Sequence, residues 1–129
     1  MGWRGCPPDE NITKLSDVPR PSTAMVFVEE ADSRTFNAGT WMFATAPTPD
    51  QCGWIDTPAC FHINASSFDF ADGHAEMHKW LEPTTITAGS TAANGVQNNF
   101  GFARSGPNDR DINWVIPRYQ YATMPASEY

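Results

Sequence analysis

The side chains best suited to chemistry in this sequence crowd into residues 61–80, FHINASSFDFADGHAEMHKW, which hold all three histidines: His62, His74 and His78. On an extended strand, residues at i, i+2 and i+4 share one side, so His74, Glu76 and His78 line one side of a ribbon. With Asp69 across from them they offer nitrogen and oxygen ligands of the kind that hold a divalent cation, zinc in the mixed case and calcium where oxygens dominate. Ligands spread along a flat strand diverge, however. The same four groups serve equally as a solvated face on which water and partly protonated histidines screen the acids. Catalysis asks for more, namely an open coordination position in a cleft.

His62 stands apart beside Phe61. It reads as a packed ring bonded to nearby backbone, or as a partner for Asp72 or for the acidic pair Glu29 and Glu30. Those two acids are neighbours on a strand, point to opposite faces and so do not form a working acid–base pair. No Gly-x-Ser-x-Gly, phosphate-cradling glycine loop or His-Glu-x-x-His is present. The expectation is a protein that is not an enzyme, has no catalytic residues and requires no cofactor.

The elements that position these groups start from Asp72-Gly73. The pair predicts a two-residue hairpin turn of the primed type, with both central residues at positive φ. That turn sets Phe70 against Ala75, Asp69 against Glu76, Phe68 against Met77 and Ser67 against His78. Phe68, Phe70, Ala75 and Met77 then form the buried face. Asp69, His74, Glu76 and His78 form the polar one. Trp80 and His62 pack at the open end.

Elsewhere, residues 22–30 (STAMVFVEE) are apolar on both faces and predict a central strand covered on both sides. Residues 41–43 begin a second strand. Residues 83–108, TTITAGSTAANGVQNN among them, show no clear period and predict a variable surface loop. Residues 109–129 return to aromatic and β-branched types in DINWVIPRYQY and pack back on the body. Cys52 and Cys60 bracket GWIDTPA and could close a disulfide in an exported protein, or remain two small buried thiols; Cys6 is the odd one.

The whole chain of 129 residues suits one domain. Its formal net charge of -7 opposes nucleic-acid phosphates and anionic lipid. The longest apolar run, AMVFV, falls far short of the roughly 20 residues a bilayer span needs. No nucleic acid and no membrane contact are expected of it.

His62, nine intervening residues and then Asp72-Gly73 resemble the prepilin-type, processing-associated H-X9-DG domain, the C-terminal globular part of pilin-like proteins. The segment KLSDVPRPSTAMVFVEE is similar to that family's Lys-Leu-Ser, Pro-Ser and acid-ended apolar strand. WIDTPACFHINASSFDFADGHAEMHKWL is similar to its core, and DINW to its Asp-x-x-Trp ending. The resemblance covers residues 14–82 and touches 109–121. The sequence departs from the family at Phe61, where an arginine is usual.

The resemblance implies an α+β pilin or pseudopilin-like head, mainly antiparallel β in this chain, with the N-terminal pilin helix absent. It implies a structural subunit of a type II secretion or type IV pilus-like filament. Its partners would be other pilin-like subunits in a homo- or hetero-polymer, and its location the cell envelope, periplasmic or extracellular. His62, Asp72, Gly73 and Trp80 are then structural, and no residue matches the calcium loop that some such heads carry. Two other readings rest on residues alone. One is a cell-surface glycan-binding module using Trp41, Trp54 and the polar 84–105 stretch. The other is a metal-dependent hydrolase built on Asp69, His74, Glu76 and His78.

Overall fold

A computed structural model describes residues 14–31, 41, 43–44, 53–54, 56–93 and 108–119. Asp72 and Gly73 turn the chain, but by a different route from the one expected. Of the two, Gly73 alone takes a positive φ, at 91°. The loop spans Ala71, Asp72 and Gly73, and is closed by Phe70 N–H donating to the His74 carbonyl at 2.9 Å. This is the three-residue hairpin in which the last loop residue sits in the left-handed region. Its backbone donors explain the choice. Ala71 N–H donates to the Ala24 carbonyl and Asp72 N–H to that of Pro21. Asp72 Oδ1 accepts the His74 N–H at 3.2 Å.

The extra loop residue slides the register by one. Strand β4 (Ala65–Phe70) pairs antiparallel with β5 (Ala75–Lys79), and β1 (Met25–Val28) pairs antiparallel with β4 on its other side. Ser67 faces Met77, Phe68 faces Glu76 and Asp69 faces Ala75. A one-residue slip sends every side chain of β5 to the opposite face. Phe68 and Phe70 point inward as expected, at 0% and 4% exposure. Ala75 and Met77 do not: both are exposed, Met77 at 55%. The expected clash of Asp69 with Glu76 disappears, because the two residues lie on different faces.

β1 is an edge strand rather than a central one, and Phe27 is 69% exposed. A register break between Met25 and Phe27 bends it. A two-stranded ladder joins β2 (Phe43–Ala44) to β3 (Gly53–Trp54). Met25, Phe43, Trp54, Phe68, Phe70, Trp80, Ile112 and Val115 make the core. Its rings meet mostly edge to face, with Trp54–Trp80 at 5.6 Å and Phe68–Trp114 at 4.9 Å between centroids.

Helix is where the sequence reading falls short, and the chain is mixed α+β with a small antiparallel sheet. Residues 83–93, expected as loop, form α1 (Pro83–Ala93). Pro83 suits a first helical position, whose N–H has no helical partner in any case. The inward positions are Thr85, Ala88 and Gly89, at the i, i+3, i+4 spacing of one helix face but too small to show as an apolar stripe. Their smallness serves a close approach. A Cβ on Gly89 would lie 2.6 Å from the Pro58 carbonyl oxygen and 2.5 Å from Cys60 Sγ.

The second helix, α2 (Arg110–Val115), starts at Asp109. The Asp109 carboxylate accepts the N–H groups of Asp111 and Ile112 at 3.0 and 2.8 Å. α2 sends Ile112 and Val115 into the core, at 1% and 0% exposure. Among the described residues no helix is long and apolar enough to cross a membrane.

Candidate functional site

The three histidines go to three different places. His62 stands on the turn before β4, where its Nε2 lies 3.1 Å from Glu29 Oε1. The other Glu29 oxygen accepts the Ser67 N–H at 2.8 Å. Burial works to raise the Glu29 pKa, and the bonds from Ser67 and His62 outweigh it and leave the carboxyl below its ordinary value. Of the two partners expected for His62, the structure provides the acidic end of β1 and not Asp72. The turn between His62 and β4 is strained: Ile63 and Asn64 both take positive φ, at 55° and 61°. The Asn64 carbonyl accepts the Trp80 N–H at 2.8 Å and so ties the turn to the end of β5.

His74 folds back on its own hairpin. Its Nδ1 is 2.5 Å from Asp72 Oδ1, and its ring stacks on Phe70 at 4.4 Å between centroids. The bond from His74 lowers the pKa of the exposed Asp72.

His78 turns inward and lies flat on Trp114 of α2. His78 Nε2 is 3.9 Å from Asp111 Oδ1, too far for a direct hydrogen bond. Asp69, on the far face of β4, approaches none of these groups. Among the described residues no three His, Cys, Asp or Glu side chains converge on a point where a metal ion would sit. The candidate set of Asp69, His74, Glu76 and His78 is therefore divided between two faces of the sheet. Glu76 itself faces Arg118, with 3.8 Å between Oε1 and Nε.

The residue that draws the elements together is Asp111. It is completely buried. Its carboxylate accepts the Leu81 N–H at 3.0 Å and the Glu82 N–H at 2.9 Å, just before α1 begins. Burial raises its pKa; His78 nearby, the two N–H groups and Thr85 outweigh burial and hold the carboxyl below its ordinary value. Beside it Arg110 Nε donates to Glu82 Oε1 at 2.7 Å, a bond that lowers the Glu82 pKa. The signal for Asp111 was in the sequence, as the first residue of DINW. What the spacing could not show is that this acid reaches across to the end of β5.

Trp80 is buried as expected. Its Nε1–H donates to the Ala59 carbonyl at 3.1 Å and to Ser66 Oγ at 2.8 Å, and Ser66 Oγ donates in turn to the Ala59 carbonyl. Cys60 is a free thiol. Burial, helped by the charge of Asp111, pushes its pKa up to about 11, which disfavours the nucleophilic thiolate. Cys52 and Cys6 lie outside the described residues. Trp54, 2% exposed, donates its Nε1–H to Thr85 Oγ1 at 3.3 Å. It offers no face to a sugar ring. Trp41 packs on Phe43, Trp54 and Tyr119. Of the polar 84–105 stretch, residues 94–105 lie outside the described residues.

The arrangement as a whole ties strands to helices through buried bonds. No protein-family model, curated protein or solved structure matches the chain.

Proposed function

We propose that this chain is the head domain of a pseudopilin or type IV pilin-like subunit, a structural part of a secretion or pilus-type filament in the cell envelope. In this reading the protein is not an enzyme, needs no cofactor, and meets other pilin-like subunits in a homo- or hetero-polymer. One observation carries it. The residues from His62 to Gly73 span β4 from end to end: His62 clasps Glu29, just past β1, at one end, and Asp72 and Gly73 close the hairpin at the other. The nine-residue spacing is thus the length of a strand with its flanking turns, and it serves architecture rather than a reacting centre.

Production of the complete gene product in its native host tests this reading. Antibody against the domain should decorate surface or periplasmic filaments in electron microscopy. Mass spectrometry should show a precursor shortened at its N-terminus by a prepilin peptidase. Dispersed, unprocessed protein in the cytosol would contradict it.

A further inference from the structure

Among the described residues, the three-stranded sheet has one edge covered at its ends and one open edge. Backbone groups at the start of β1 and just past its end are taken by other segments. Met25 N–H donates to the Arg118 carbonyl at 3.1 Å, Ala59 N–H to the Glu29 carbonyl at 2.9 Å, and Ala31 N–H to that of Thr57 at 3.1 Å. β5 ends the strand order β1-β4-β5, and among the described residues nothing bonds to its outer side. The parity of the ladder says which groups are free. Phe70 N–H bonds to the His74 carbonyl and Trp80 N–H to that of Asn64. Even-numbered residues of β5 therefore bond to β4, while Ala75, Met77 and Lys79 direct N–H and C=O outward. An unprotected edge of this kind is a template for another strand.

We propose that β5 pairs with β5 of a second copy of this chain, antiparallel, about a two-fold axis through Met77. The sequence AEMHK selects the partner and the register. With Met77 on the axis, Glu76 faces His78 of the second copy, and Ala75 faces Lys79. All five residues of the strand are used, and no like charges stand opposite each other. A ladder centred on Glu76, His78 or Lys79 would set a group against its own copy and use fewer residues. The outward-pointing residues Ala75, Met77 and Lys79 become the doubly hydrogen-bonded pairs, as the parity requires. Exposed Met77 gains a neighbour of its own kind, and two three-stranded sheets become one of six strands. Such a contact is isologous, the commonest symmetry of soluble assemblies. The pairing does not rest on the filament reading, since the purified domain alone should show it.

Sedimentation or light scattering on the purified chain across a dilution series tests the proposal. The unaltered protein should pass from monomer to dimer as concentration rises. Ala75→Lys places a lysine opposite Lys79 at two symmetric points and should weaken association at least tenfold. Adding Lys79→Glu to that variant should restore it. Both positions are exposed, and unchanged circular dichroism and melting would show that the fold is kept. Met77→Lys sets two lysines against each other on the axis and should also give monomer. The proposal is overturned by an unaltered protein that stays monomeric throughout, by a dimer indifferent to Ala75→Lys, or by a double variant that fails to recover.

Discussion

His78 on β5 and Trp114 on α2 lie face to face, 3.7 Å apart between ring centroids and 18° from parallel. The same indole meets Phe68 edge-on at 4.9 Å, and the Arg118 guanidinium sits 4.0 Å from its centroid. Trp114 thus joins Ile112 and Val115 in holding the aromatic face of the hairpin to the helix. Trp114→Ala should cost about 2–4 kcal/mol in urea unfolding followed by far-ultraviolet circular dichroism. His62→Ala should cost under about 1 kcal/mol, because the His62–Glu29 contact is largely exposed and screened.

Asp111 makes stability depend on pH. Its folded pKa lies below the ordinary 3.8, so its stabilisation is full above that value and fades as pH falls through the folded pKa. Glu29 acts in the same direction from its ordinary 4.5. Asp111→Asn keeps the shape but sets an amide against the Leu81 and Glu82 N–H groups, and should cost about 2 kcal/mol at neutral pH. Thermal melts from neutral to acid pH should show the variant and the unaltered protein converging as pH drops below about 4.

Gly89→Ala separates two opposing effects on α1. Helix propensity alone favours alanine by about 1 kcal/mol. The new methyl would lie 2.6 Å from the Pro58 carbonyl oxygen, a backbone atom that cannot swing aside, and 2.5 Å from Cys60 Sγ. Overpacking should win, giving a net loss of about 1–2 kcal/mol in chemical denaturation. Thr84→Ala, on the exposed side of the same helix, should be neutral or slightly stabilising.

At Gly73 the cause is the backbone alone: a methyl group there would meet nothing within 4 Å, while φ is +91°. Gly73→Val should lose more than about 1 kcal/mol, and Gly73→Asn clearly less, because asparagine tolerates the left-handed region. Matched thermal melts of the two variants would measure the difference.

Part of this was legible in the sequence. The Asp72-Gly73 bend, the inward Phe68 and Phe70 and the buried Trp80 follow from residue types that have few other places to go. The loop length does not, because the bonds that select three residues over two come from Pro21 and Ala24, far away along the chain. That single residue of length moved Met77 out and His78 in. α1 stayed hidden because its packed face is Thr85, Ala88 and Gly89, residues chosen for closeness and not for hydrophobicity. The place of Asp111 was equally out of reach, since its partners are backbone N–H groups, which no side-chain pattern records.

The β4–β5 register is the central relationship, since it turns His78 inward and Met77 outward and parts Asp69 from the three groups opposite. Residues that face each other without exchanging hydrogen bonds bring their Cα atoms to about 4.5 Å, close enough for strong Hα–Hα Overhauser effects. Nuclear magnetic resonance should show that signal between Ser67 and Met77 and between Asp69 and Ala75. Signals joining Phe68 to Met77 and Phe70 to Ala75 instead would contradict the account.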